Sequence, residues 1–254
     1  MAKKKKNVQM PIGELNLPFE TKKQIAEANQ LFDPWKKETA KNALSKMKEV
    51  VNEATFTQNS YPFWHLQVEL GRLTYHCNKL DDAENILANV LEYSVSSYKE
   101  PDFQRNWCFL SAYASLYLAM IDTTKGDIDK AMEKLISGHK WLKKFSKAEF
   151  TDEVVEVLLL TEEGIGHLLI KQSKPKEAVM VLLNSLNKSR YLSDPFTSNA
   201  LTYLRHSQYI YNRITDFLPE FIKQSGNTKY LSNVPKTSST LRLKFKPPWI
   251  NPTF

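Results

Sequence analysis

Glycine is scarce in this 254-residue chain, which contains only 7 glycine residues. Sandwiches and barrels need many tight turns, and glycine is the usual residue where a turn requires a left-handed backbone. Lysine, leucine, asparagine and glutamate are plentiful instead, and most of these residues favour helices. The composition therefore favours an all-α protein over turn-rich β folds.

Cysteine is also rare, and long apolar runs are missing. Cys77 and Cys108 are too few for the disulfide framework of a small secreted domain, and they are not spaced as metal ligands. No apolar run approaches the roughly 18 residues of a membrane span. The N-terminal sequence MAKKKKNVQM lacks the apolar core of a secretory signal. We therefore expect a cytoplasmic protein without a membrane span.

Signatures of catalysis are missing as well. The five histidines form no HExxH motif, and no GxSxG, P-loop or kinase motif occurs. The sequence EEGIG at residues 162–166 is an unsuitable phosphate loop, because no strand precedes it and the third glycine is missing. We therefore predict a non-enzyme that uses no cofactor and no metal. An enzyme built from scattered residues is the alternative.

Positive charge is concentrated at the two ends of the chain. Of the formal net charge of +7, Lys3–Lys6 contribute four charges, and six more cations lie between Lys223 and Lys246. No acidic residue precedes Glu14 or follows Glu220, so these ten terminal charges leave residues 14–220 with a charge of −3. A slightly acidic body between basic ends suggests a partner with an acidic surface.

Helical periodicity runs through most of the chain, with short breaks. It predicts about ten helices, joined as hairpins. Their predicted spans are 19–32, 34–54, 62–78, 81–96, 101–124, 128–145, 152–172, 175–190, 195–213 and 217–224. We therefore divide the chain into a basic mobile arm (1–18), a helical domain (19–225) and an extended basic and aromatic tail (226–254).

Small residues recur in the same phase in three of these hairpins. In each hairpin, a small residue in the first helix is followed twelve positions later by a small residue in the second. The pairs are Gly71 with Ala83, Ala119 with Ala131, and Gly166 with Ala178. Small residues at such positions let two helices cross closely, while larger neighbours fill the groove toward the next hairpin.

This pattern resembles the tetratricopeptide repeat (TPR) over about residues 60–192, with a degenerate unit on each side. The small residues of the first helices, Gly71, Ala119 and Gly166, recur after 48 and 47 residues, whereas the TPR period is about 34. The helices or connectors must therefore be longer. The resemblance implies an α-solenoid of antiparallel helix hairpins that binds other proteins.

The best-known ligand mode of the resembled family is a carboxylate clamp, in which lysine, asparagine and arginine grip the C-terminus of a chaperone. The matching positions here are His65 and Glu69, Tyr113 and Tyr117, and Leu160 and Gly164. None is a cation–amide pair. We therefore do not expect a chaperone-tail co-chaperone.

Candidate partner-binding residues are basic or aromatic and lie near the two ends. They are Lys3, Lys4, Lys5, Lys6, Tyr203, Arg205, Tyr209, Arg213, Arg242, Lys244, Phe245, Lys246, Trp249 and Phe254. The cluster at 203–213 could stack nucleobases, bind an acidic peptide or simply pack a terminal helix. The tail TLRLKFKPPWINPTF could be disordered, dock onto the solenoid or bind a neighbouring protein. The aromatic row Phe109, Tyr113 and Tyr117 could be core or groove.

Together these features predict a non-catalytic scaffold or adaptor, without a small-molecule substrate. We expect it to be a subunit of a large intracellular assembly with an acidic surface, such as a microtubule or a ribonucleoprotein. A cytoskeletal or ciliary role is favoured by association with the resembled family. The alternative is an RNA-associated subunit of a ribonucleoprotein or RNA-processing complex.

Overall fold

A computed structural model of the chain describes residues 17–32, 37–58, 60–98, 104–145 and 151–192, and eight residues between 218 and 229. The five long stretches contain eight α-helices and no strand. The helices are α1 (Phe19–Gln30), α2 (Lys37–Glu53), α3 (Tyr61–His76), α4 (Leu80–Ser97), α5 (Gln104–Lys125), α6 (Ile128–Leu142), α7 (Asp152–Lys171) and α8 (Pro175–Leu192). The predicted all-α fold is confirmed. The helix predicted at 195–213, residues 1–16 of the basic arm and the tail from residue 230 lie outside the described residues. Of the helix predicted at 217–224, residues 218, 219, 222 and 223 are described and are helical.

Each helix packs on the next, and the odd-numbered helices also contact one another. Along the described helices, α3 contacts α5, and α5 contacts α7. These three helices form one layer, which we call the inner layer. The helices α4, α6 and α8 form a second layer that packs against it. The layout is a row of helix hairpins, as the repeat pattern predicts.

Three hairpins turn in the same way. After α3, α5 and α7, one residue adopts a left-handed backbone: Asn78 with φ 60°, Gly126 with φ 85° and Ser173 with φ 60°. The next amide then reaches back five residues to a helix carbonyl, the pattern of a Schellman turn. These bonds run from Lys79 to Thr74 (3.2 Å), from Asp127 to Asp122 (2.9 Å) and from Lys174 to Leu169 (2.8 Å). The turns recur after 48 and 47 residues, so the backbone repeats with the sequence.

The small residues of the repeat lie where the two helices of a hairpin meet. The four alanines at positions 83, 119, 131 and 178 have no exposed surface. A methyl group added at Gly71 would lie 2.8 Å from the Leu87 side chain, and one at Gly166 would lie 2.6 Å from Leu182. Both distances are far below van der Waals contact, so each glycine lets a leucine of the next helix pack directly on its backbone.

The core consists of two hydrophobic clusters. One joins α1, α2 and α3. The other extends from α3 to α8 and also includes Leu218 and Ile222, both without exposed surface. Of the residues from Val154 to Leu169 in α7, all but Glu156 are buried. Leu218 and Ile222, which follow α8 in sequence, therefore contribute to the same core as the hairpins.

Candidate functional site

Polar side chains line the face of α3 that meets α1 and α5. Tyr61, His65, Glu69, Arg72 and His76 follow one another at spacings of three or four residues, which places them on one side of the helix. The first four are at most 8% exposed. Buried polar groups are costly unless they are paired, so this face must supply its own partners.

Glu69 is the centre of these contacts, which we call the inner network. Its carboxylate accepts hydrogen bonds from Arg72 Nε (3.0 Å), Tyr113 Oη of α5 (3.0 Å) and Asn29 Nδ2 of α1 (3.5 Å). Arg72 Nη2 also donates to Asn29 Oδ1. One buried carboxylate thus joins three helices that are separated by about 40 residues in sequence.

Both members of the Glu69–Arg72 pair are charged. Burial alone would raise the pKa of Glu69, but the adjacent Arg72 guanidinium lowers the net pKa below its ordinary value. Burial alone would lower the pKa of Arg72. The Glu69 carboxylate has the larger effect and raises the net pKa of Arg72 above its ordinary value. The pair is therefore a satisfied ion pair and has no proton to exchange near neutral pH.

The two histidines on this face are neutral. His65 shares a hydrogen bond of 2.9 Å with Tyr61 through Nδ1, and burial lowers its pKa to about 4. The His76 ring packs 4.6 Å from Phe32 and 5.9 Å from Tyr117. Burial, together with the Arg72 charge, lowers the pKa of His76 to about 3. Both imidazoles therefore act as packed aromatic groups at neutral pH.

The aromatic row of α5 belongs to the core. Phe109 has no exposed surface, and Tyr117 is 6% exposed. The third member, Tyr113, is half-buried and gives its hydroxyl to Glu69. Of the two interpretations of this row, the structure supports packing.

The positions that match a carboxylate clamp are engaged within the chain. His65 pairs with Tyr61, Glu69 with Arg72 and Tyr113 with Glu69. Leu160 and Gly164 are buried in α7. None of these described positions presents a cation to a peptide carboxylate.

The other sequence features that could suggest catalysis are the sequence EEGIG and the two cysteines, and they too have structural explanations. The sequence EEGIG lies within α7 rather than in a loop, and His139 Nε2 of α6 lies 2.9 Å from Glu162 Oε1. Burial raises the pKa of both thiols, that of Cys108 to about 11, so neither is an activated nucleophile. Within the described residues, no group of three or more histidine, cysteine or acidic side chains could hold a metal ion. None of the described helices is long and apolar enough to cross a membrane.

An open groove lies on the other side of α3, against the second half of α4. We call it the outer groove. Its volume is about 400 Å³. Its walls are formed by Gln58, Phe63, Trp64, Gln67, Ile86, Asn89, Glu92, Tyr93 and Ser96.

Stacked aromatic rings form the base of the outer groove. Trp64 lies on Tyr93 with ring centroids 4.5 Å apart and an angle of 20° between the planes, and Phe63 meets Trp64 edge-on at 5.2 Å. The Trp64 indole donates to the Gln58 carbonyl at 2.6 Å, which fixes its orientation. The groove is thus built around a fixed aromatic platform.

The polar groups of the outer groove differ from those of the inner network. Gln67, Asn89 and Glu92 make no side-chain hydrogen bond or ion pair with any described residue. Sequence reasoning missed this site. Its residues recur at spacings of three and four along two helices, which is equally typical of a solvated helix face.

The sequence-predicted partner-binding residues are not part of either site. Lys3–Lys6 and the ten candidates between Tyr203 and Phe254 all lie outside the described residues. The six predicted packing residues are buried in the hairpins. The partner-binding set stays a prediction.

By sequence, the chain matches no known protein family and no curated protein. By structure, it is similar to a Podosopora anserina protein described as a kinesin light chain with nearly identical TPR-like repeats. The identity is 14%, the TM-score is 0.50, and the match covers 87% of this chain and 100% of that one. It is also similar to BtubC (BKLC) from P. vanneervenii, with 12% identity, a TM-score of 0.55 and coverage of 88% and 95%. The chain therefore has the fold of TPR-like helical-repeat proteins.

Proposed function

We propose that this chain is a non-catalytic interaction subunit of a cytoskeletal assembly, in the manner of a light chain. The observation that carries the proposal is the structural likeness, over 87% and 88% of this chain, to proteins named as a kinesin light chain and as BtubC (BKLC). Helical repeats present large surfaces from many separate side chains, which suits the binding of proteins. The engaged inner network and the raised thiol pKa values are consistent with a role in binding.

The charge distribution supports a partner with an acidic surface. The body carries −3, and both ends are basic. Cationic ends would attract an acidic polymer at long range, while the helical body provides the specific contacts. We infer that microtubules are the polymer and that the protein is cytoplasmic and associated with the cytoskeleton or cilium.

The proposal is tested by affinity purification with cross-linking from native cells, followed by co-sedimentation with microtubules. We expect recovery with cytoskeletal proteins and salt-sensitive sedimentation. A full-length variant in which Lys3–Lys6 are replaced by glutamine should sediment less. A matched control replaces four exposed lysines of the body, at positions 23, 41, 48 and 140.

The outcomes separate the two candidate functions. RNA retention with a steep salt slope, lost in the Lys3–Lys6 variant, would favour the RNA-associated alternative. Recovery of the chain alone would overturn the assembly role. Equal sedimentation of the terminal and body variants would overturn the role of the basic arm.

A further inference from the structure

We propose that the outer groove binds the chain's own C-terminal segment 244–249, Lys-Phe-Lys-Pro-Pro-Trp. This inference goes beyond the proposed function, because it concerns the chain by itself. The described groove supplies an aromatic platform, unengaged amides and one carboxylate. The segment supplies prolines, an aromatic ring and cations.

The aromatic platform fits proline. Trp64 and Tyr93 are stacked and fixed, so the groove does not have to order its rings when it binds. Prolines dock on such surfaces in an extended left-handed helix, whose conformation is largely preformed and therefore loses little entropy. Pro247 and Pro248 provide two successive residues of this kind.

The polar groups of the groove fit a proline segment for a second reason. A proline has no N–H, so the segment offers an excess of carbonyl acceptors. Gln67 and Asn89 carry amide donors that no described residue engages. A segment with free carbonyls and a groove with free donors therefore complement each other.

An ion pair would orient the segment in the outer groove. Glu92 is exposed at the groove and has no ion-pair partner among the described residues. Lys246 directly precedes the two prolines, and Lys244 lies two residues earlier. A cation at this position can pair with the Glu92 carboxylate while its stem covers an aromatic face.

The chain is long enough to reach the groove. Pro247 follows Lys229, the last described residue, by 18 residues. At about 3.1 Å per residue, this connection spans roughly 55 Å. The inner-layer helices α3 and α7 are separated by α5, which contacts both, and neighbouring helices lie about 10 Å apart. Ile222 packs in the main core, which extends from α3 to α8, and crossing from the inner layer to the α4 side adds about one more interhelix distance of 10 Å. The connection is therefore longer than the roughly 30 Å between the far end of the inner layer and the groove.

The test uses the purified full chain with a photo-cross-linking amino acid, p-benzoylphenylalanine, in place of Trp249. After irradiation, mass spectrometry identifies the residues that are joined. We expect intramolecular cross-links to residues 58–67 and 86–96. A second chain carries the same cross-linker in place of the exposed Met180 of α8, a helix that packs on α7, and should not label these residues.

Charge variants test the groove without changing its packing. Glu92→Lys should lower the cross-link yield about threefold, and adding Lys246→Glu should restore it. Glu133→Lys, an equally exposed reversal on α6, is the matched control and should leave the yield unchanged. Replacing Pro247 and Pro248 by alanine should lower the yield, whereas Pro252→Ala should not.

The proposal is overturned by cross-links outside the groove, by their absence, or by links that join two copies of the chain. Equal yields from the Glu92 and Glu133 variants would also overturn it. These measurements need no partner. Their failure would leave the light-chain role standing, and failure to recover a cytoskeletal partner would leave the docking of the tail standing.

Discussion

Arg72 is the residue that makes a buried carboxylate acceptable at Glu69. We predict that Arg72→Ala lowers the free energy of unfolding by about 3 to 5 kcal/mol, because it leaves a buried charge without its cation. Urea denaturation at pH 7 measures this effect. The exposed pair Lys46–Glu49 has the same i, i+3 spacing, so Lys46→Ala is the matched control and should cost less than about 0.5 kcal/mol. Equal losses in the two variants would contradict the inner network.

His65 makes stability depend on pH in the acidic range. Its folded pKa of about 4 lies below the ordinary value of 6.5, so the unfolded chain binds a proton first as the pH falls. The contribution of neutral His65 to the free energy of unfolding is therefore fully present above about pH 6.5. It is lost as the pH falls from 6.5 to the folded pKa of about 4. From pH 7 to pH 5 we predict a loss of about 2 kcal/mol from this residue.

The measurement compares urea denaturation of the wild type and of His65→Asn at both pH values. Asparagine keeps an acceptor near the position of Nδ1 for Tyr61 but does not titrate. We expect the variant to lose about 2 kcal/mol less than the wild type over this interval. If both lose the same amount, the pH dependence comes from other groups.

At the scale of elements, the Schellman turns show what the sequence could and could not predict. Gly126 signals a helix end directly, because glycine adopts positive φ without cost. Asn78 and Ser173 occupy the same position in the other two turns, but serine gives no such signal. The helix hairpins were predictable because burial imposes the 3.6-residue period on every helix. The equivalence of the three turns emerged only from the backbone.

From these turns we predict changes in the free energy of unfolding that have opposite signs in two variants. A methyl group at Gly126 would meet no atom within 4 Å, so Gly126→Ala tests the backbone alone and should destabilise by about 1 kcal/mol. Ser173→Gly should stabilise by about 0.5 kcal/mol, because it removes the same cost. Thermal or urea denaturation measures both changes. A loss of stability in Ser173→Gly would contradict the equivalence of the turns.

Neither the inner network nor the outer groove could be predicted from the sequence, for different reasons. The inner network joins Asn29, Glu69 and Tyr113 across about 40 residues, and no local pattern predicts such a pairing. The outer groove arises because two helices leave a gap, and periodicity carries no information about gaps.

The small residues of the hairpins repeat and so could be read from the sequence. Position 93 is aromatic again in the next hairpin, as Trp141, but the positions equivalent to Trp64 are Ala112 and Leu159, so the stacked pair itself does not repeat.

At the scale of the whole molecule, Leu218 and Ile222 extend the core of the hairpins past α8 in sequence. Ile222 has no exposed surface and belongs to the main core. We predict that Ile222→Ala costs about 2 to 5 kcal/mol. Ile222 shares the main core with α5 to α8, whereas buried residues of α2 belong to the other cluster, so amide hydrogen exchange should rise more in α5 to α8 than in α2. The exposed neighbour Lys223 provides the control Lys223→Ala. A uniform rise along the chain would contradict this local coupling.

Glu69 also has a mechanical consequence. Its carboxylate holds side chains of α1, α3 and α5 at one buried point. If the two ends of the helical row are pulled apart, the load on these three helices converges on that point. They should then yield together as one unit, and not peel away one hairpin at a time. A row of otherwise similar repeats thus contains one stiff segment, and any force transmitted through the protein would extend the remaining hairpins first.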